Sequence, residues 1–190
     1  HLGSARHRHL PHPDSDRFQP LRAGILDVWE YDEQEFWFAD GRLVLRGQNT
    51  AGKSKALELL FPFVLDGDTR PQRLDPFGSG TRTMRWNLID FDDDRRTAVG
   101  YCWLEFGRVD EEGAEHYVTV LVGMRANRST SSVGKWFAVT DQRVGADFEL
   151  VGTDGRALSQ DRLRELLGAD RVGDNAQAHR IAVDKALFGL

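Results

Sequence analysis

One cysteine among 190 residues, Cys102, rules out an internal disulfide and fits a reducing compartment. It stands between Tyr101 and Trp103 in an apolar run, where a buried thiol is expected rather than a nucleophile. Long apolar stretches are also missing. Nothing approaches the roughly 20 consecutive apolar residues of a membrane span, and no apolar segment near the N-terminus resembles a secretory signal. A cytoplasmic chain with no membrane partner is therefore expected. Nor is there an excess of positive charge: 25 Lys and Arg stand against 30 Asp and Glu, for a net charge of -5. The chain as a whole does not attract a phosphate backbone, so any DNA contact has to be local. Arg70, Arg73, Arg82 and Arg85 are interleaved with Asp66, Asp68 and Asp75, and Asp92-Asp93-Asp94 runs straight into Arg95-Arg96, the mixed pattern of solvated loops.

What is present suits one sizeable folded domain, with 40 % apolar and 10 % aromatic residues. Residues 1–20 hold four of the six histidines and three prolines, which predicts a flexible leader or, since the chain opens without methionine, an expression remnant. His7, His9 and His12 lack the companion ligands that would fix a metal site. From Leu21 to about residue 190 a single unit is expected. "LRAGILDVWEY" and "EFWFADGRLVLRG" read as three strands, with Asp40-Gly41 as a tight hairpin turn. Lys53 to Leu65 carries apolar residues at helical spacing, with Pro62 shortening or kinking its end. A long loop follows over Gly67–Thr83. Four strand-like runs between about 97 and 152, the last being "DFELVGTDG", predict an antiparallel meander. A helical segment is expected from about 159 to 190, starting with a helix capped by Ser159, striped by Leu163, Leu166 and Leu167, and ended by Gly168. The apolar end at "ALFGL" predicts that the fold continues past Leu190.

Gly47-Gln48-Asn49-Thr50-Ala51-Gly52-Lys53-Ser54 fits G-x-x-x-x-G-K-[ST], the phosphate-binding loop. Each fixed position has a task. Gly52 lets the backbone approach the phosphates, N–H groups at the helix start point at the anion, Lys53 sets a charge between the β- and γ-phosphates, and Ser54 offers its hydroxyl to Mg²⁺. A strand before the loop and a helix after it is the setting this motif needs. The expected cradle for ATP and Mg²⁺ is thus Gly47 to Ser54 with Lys55 beside it, Lys53 acting on the transferred phosphate and Ser54 on the metal.

Small kinases and GTPases usually surround this loop with a parallel sheet and alternating helices. Here aromatic-rich strands come first and a meander follows, an order that resembles the N-terminal half of an ABC-type head of the SMC class, with its G-x-N-x-x-G-K-S loop. Asn49 fits that variant, and Thr50 stands where glycine is common. "RAGILDVWEYDEQEFWFADGRLVLRGQNTAGKSKALELLFPFVLDG", "LDPFGSGTRTMRW", "GYCWLEFGR" and "ALFGL" together resemble the SMC-like ATPase subunit (JetC-like) of bacterial Wadjet plasmid-defence systems, over nearly all of the chain after residue 20. The resemblance implies an α/β fold, a P-loop NTPase of ABC/SMC head type whose N-terminal lobe has a mixed β core and an antiparallel β subdomain. It implies a head completed by the C-terminal half of the same chain and paired with a second head around ATP. Kleisin-like and winged-helix accessory subunits, a nuclease and double-stranded DNA are the further partners it implies. Arg85, in "TRTMRW", matches the arginine that approaches the phosphates in such heads, with Arg82 the alternative.

No apolar strand ends in Asp-Glu, no signature like LSGGQ is present, and no Q-loop glutamine follows the meander. Turnover depends on positioning water, metal and charge together, so the chain alone is expected to hydrolyse little. Two other readings stay open: a stand-alone P-loop kinase, and a non-catalytic interaction module with a vestigial loop. Asp92, Asp93 and Asp94 are adjacent and seldom converge on one metal. Glu105, next to Phe106 on a strand, is expected to face solvent. Trp29, Trp37, Trp86, Trp103 and Trp136 are expected in the core.

Overall fold

The structure, a computed structural model, describes residues 9–28, 31–39, 42–44, 64–65, 97–127 and 133–189. Among the described residues seven strands form one sheet: β1 (Gln19–Val28), β2 (Tyr31–Ala39), β3 (Arg42–Val44), β4 (Thr97–Val109), β5 (Glu115–Asn127), β6 (Val133–Thr140) and β7 (Val172–Gly173). Their order is β3-β2-β1-β4-β5-β6-β7, and every neighbouring pair is antiparallel. The resemblance implies a mixed β core with an antiparallel β subdomain. Among the described residues the strands instead make a single antiparallel sheet, because β1 pairs with β4 on one side and with β2 on the other.

The β4–β5 hairpin shows how local chemistry sets the register. Val109 pairs with Glu115, and Asp110 closes the turn between them. Its carboxylate oxygen Oδ1 accepts from the backbone N–H groups of Glu112 at 3.0 Å and Ala114 at 2.9 Å. Gly113 takes φ 82°, a left-handed conformation open to glycine without steric cost.

Helices cover both faces, which explains why β4 and β5 read as near-continuous apolar runs. On one face Cys102, Leu104, Val120, Val122, Met124 and Phe137 pack with Val183 of a helix at Ala176–Phe188 and with Val64, in the helical pair Val64–Leu65. On the other face Tyr101, Trp103, Leu121 and Trp136 pack against Leu163 and Leu167 of a helix at Gln160–Leu167. The latter helix is α1 and the former α2. Ser159 caps α1, its Oγ accepting from the N–H of Arg162 at 3.2 Å, and Gly168 ends it at φ 103°. Asn175 caps α2 in the same way, accepting from the N–H of Ala178 at 2.9 Å.

Several expectations need correction. Residues 9–20, predicted as part of a flexible leader, lie along the sheet: Leu10 and Pro13 are buried, Ser15 accepts from the N–H of Val109 at 2.8 Å, and β1 already starts at Gln19. Residues 1–8 lie outside the described residues. "DFELVGTDG" is not a fourth strand of the meander. It makes only the isolated bridges Val144 with Phe148 and Val151 with Ala157. Leu166 does not belong to the buried stripe of α1 and is 39 % exposed, whereas Leu163 and Leu167 are buried. Trp103 and Trp136 are buried and Trp37 partly so, while Trp29 and Trp86 lie outside the described residues.

Candidate functional site

The predicted nucleotide cradle, Gly47, Gln48, Asn49, Thr50, Ala51, Gly52, Lys53, Ser54 and Lys55, lies outside the described residues. So do Arg82, Arg85 and Asp92 to Asp94. What the structure fixes is the ground on either side of the loop. Upstream, β3 runs antiparallel to β2, with Ala39 opposite Arg42 and Trp37 opposite Val44. Its direction carries the chain toward the end of the sheet where β1 finishes and β4 begins. Downstream, Val64 is buried in the sheet's first face, and its carbonyl accepts from Nε2 of His179 at 2.8 Å. His179 is itself buried and stacks on Phe137 with ring centroids 4.7 Å apart. The end of the run that begins at Lys53 is thereby tied to α2 and β6.

The most polar buried feature is a cluster that sequence reading misplaces. Glu105, expected to face solvent, is completely buried on β4. Arg22 of β1 donates to it twice, Nε to Oε1 at 2.9 Å and Nη2 to Oε2 at 2.6 Å. Arg143 does the same from the opposite side, Nε to Oε2 at 2.9 Å and Nη2 to Oε1 at 2.8 Å. Further donors of the pair are used elsewhere: Arg22 Nη1 reaches Glu35 Oε1 at 2.5 Å, Arg22 Nη2 reaches the Val144 carbonyl, and Arg143 Nη2 reaches the Pro11 carbonyl. Arg22 also stacks 5.0 Å from the Trp103 ring centroid, and Arg143 stacks 3.9 Å from that of Tyr117.

Burial works against both charges in this cluster, but the hydrogen bonds outweigh it. They hold the Glu105 carboxyl below the ordinary carboxylate range and raise the Arg22 guanidinium above its ordinary value. Each Glu105 oxygen already accepts two charge-assisted bonds, leaving no lone pair aimed at a substrate. The cluster is a joint between β1, β4 and the 141–148 segment, not a general base. Cys102 is likewise no nucleophile, since burial pushes its thiol up to about 12. Among the described residues no three His, Cys, Asp or Glu side chains are placed to hold a metal ion, and no helix is long and apolar enough to cross a membrane.

Sequence reading also misses a second feature, a cleft where Arg17, Arg108 and Lys185 come together. These residues are far apart in the chain and share no motif, so only the fold reveals their grouping. For Arg22 and Glu105 a signal did exist: both are charged residues set in strands whose neighbours on either side are apolar. No protein-family model matches the chain, and a search of curated proteins finds no match.

Proposed function

We propose that this chain is the nucleotide-binding N-terminal part of an ABC/SMC-type ATPase head, of the kind used in Wadjet plasmid defence. The observation that carries the reading is Gly47–Ser54, a complete phosphate-loop motif that follows β3 and precedes a run whose Val64 and Leu65 are helical. In this reading backbone N–H groups between Gly47 and Lys55 hold the phosphates of ATP, Lys53 neutralises charge as the γ-phosphate leaves, and Ser54 holds Mg²⁺. Arg85 is the residue proposed to approach the phosphates from the loop that follows. MgATP supplies a phosphoanhydride bond whose cleavage drives motion of the assembly.

Hydrolysis needs an acidic strand end and a signature segment, both absent from this sequence. The proposal therefore includes a C-terminal half that completes the head, a second head across the nucleotide, and accessory kleisin-like, winged-helix and nuclease subunits acting on double-stranded DNA. The antiparallel pairing of β1 with β4 and of β4 through β6 favours this reading over a stand-alone kinase, whose strands usually alternate with helices around a parallel sheet.

Calorimetric titration of the chain with MgATP, beside a Lys53→Ala variant, tests the reading. Binding that weakens by at least about tenfold in the variant is expected, since the lysine's charge-assisted contacts are lost. Equal binding by both chains, or none by the parent even with the rest of the head added, would overturn it.

A further inference from the structure

Val64 and Leu65 are helical, and Val64 is buried on the face of the sheet that α2 covers. The carbonyls of a helix's last turn have no N–H of their own helix to accept from, and the sequence predicts that this run stops before Gly67. A buried carbonyl in that position needs a donor from elsewhere. His179 supplies it. A carbonyl oxygen only accepts, so the imidazole carries a proton on Nε2 and donates it across 2.8 Å.

The donor is itself held in place. Its backbone N–H donates to the Asn175 carbonyl at 3.0 Å, in the turn of α2 that the Asn175 side chain caps. Its ring lies along that of Phe137 in β6, with centroids 4.7 Å apart and planes 23° apart. Val183, one turn further along α2, belongs to the same apolar cluster as Val64. Apolar packing is non-directional and tolerates a helix that slides or turns slightly. A hydrogen bond weakens steeply with angle and distance, so the bond from His179 is the contact that sets the depth and rotation at which Val64 sits.

We propose that His179 is a positioning residue for the phosphate loop: by fixing Val64 it fixes the far end of the run that begins at Lys53, and with it the place of the loop's N–H groups relative to the sheet. The inference rests on the reading of Gly47–Ser54 as a nucleotide site. The loop is then anchored on both sides, by β3 ahead of it and by the Val64–His179 bond behind it. Amides already aimed at a phosphate bind it without further ordering, so a loop that loses its rear anchor loses affinity, although His179 is not one of its residues.

Two substitutions separate the donor from the ring. His179→Phe keeps the stack on Phe137 and removes the donor, whereas His179→Gln gives up the ring and returns an N–H at about the reach of Nε2. MgATP affinity is measured by calorimetry on the full chain, completed by the rest of the head where binding requires it, and thermal melting establishes that each variant is folded. Binding about fivefold weaker is expected for His179→Phe, the scale of one hydrogen bond, with His179→Gln within about twofold of the parent. Affinity should follow the donor and not the melting temperature, a separation that a merely structural role would not produce. In the parent, MgATP should also shift the ¹⁵N resonance of His179 Nε2, and in Lys53→Ala it should not. Parent-like affinity in His179→Phe, equal weakening in both variants, or a resonance unmoved at saturating MgATP would each overturn the proposal and leave the nucleotide site standing. The resonance decides the matter if His179→Phe does not fold. A parent that binds no MgATP, or binds it no better than Lys53→Ala does, would remove the nucleotide site and this inference with it.

Discussion

Across β5 and β6, Gly123 faces Trp136, and the indole occupies the space a β-carbon would need. A methyl group built on Gly123 would stand 2.1 Å from Nε1 of that ring. Gly24 and Trp103 repeat the arrangement across β1 and β4, again with a closest approach near 2.0 Å. Both tryptophans belong to the face covered by α1. A strand glycine gives up chain entropy and offers no side chain to pack, but here it makes room for an aromatic ring. Trp136 has little freedom to move aside: its Nε1 donates to the Tyr101 hydroxyl at 3.2 Å, and that hydroxyl donates to the Leu158 carbonyl at 2.6 Å.

Gly123→Ala should therefore destabilise the chain although alanine is the smallest possible addition. Overpacking of this kind costs about 1–3 kcal/mol, read as a lower urea midpoint. Combining it with Trp136→Leu should cost less than the sum of the two single changes, because the leucine removes the ring that the methyl group strikes. Strict additivity would mean that the two residues do not constrain one another.

Glu105 makes a stronger prediction. Glu105→Gln leaves two buried guanidinium groups facing a neutral amide, and breaking one partner of a buried charge cluster costs about 3–5 kcal/mol. The same residue gives a pH signature. Its pKa is lower in the folded chain than the ordinary 4.5, so its contribution is complete above that value and is lost as pH falls through the folded one. The parent chain should lose stability on acidification below about pH 4.5, and Glu105→Gln should show a shallower fall over that window. Identical acid profiles in both would show that Glu105 does not set the transition.

How far the sequence reveals this fold depends on how local the causes are. Ser159 and Gly168 mark α1 because a cap and a left-handed stop act within one turn. Glu105 is misread because both faces of β4 are covered, so alternation no longer separates inside from outside, and its partners lie 83 and 38 residues away in the chain. "DFELVGTDG" has the composition of a strand, yet Asp147 turns back to accept from the N–H of Arg143 at 2.7 Å, while Gly145 and Gly155 adopt φ 86° and 76°. Local side-chain bonds and left-handed glycines there override strand propensity. For the candidate site the motif at Gly47–Ser54 is legible in full, whereas the cationic cleft is invisible, since Arg17, Arg108 and Lys185 meet only after β1, β4 and α2 have assembled.

Cys102 reports on that assembly from the middle of the sheet. It is buried beside Leu104 and Val122 on the face under α2, and its thiol is pushed up to about 12 by the loss of water. Both effects suppress thiolate formation, so a disulfide reagent at mildly alkaline pH should modify the native chain far more slowly than the urea-unfolded one. Reaction in the native state then requires opening between β4 and its cover, and its rate should rise in Glu105→Gln by about tenfold for each 1.4 kcal/mol of stability lost. Cys102→Ala should be tolerated better than Cys102→Ser, because a buried hydroxyl without a partner costs about 1–3 kcal/mol on top of the lost packing. Rapid labelling of the folded parent chain would contradict the burial of this strand and, with it, the placement of α2 over the sheet.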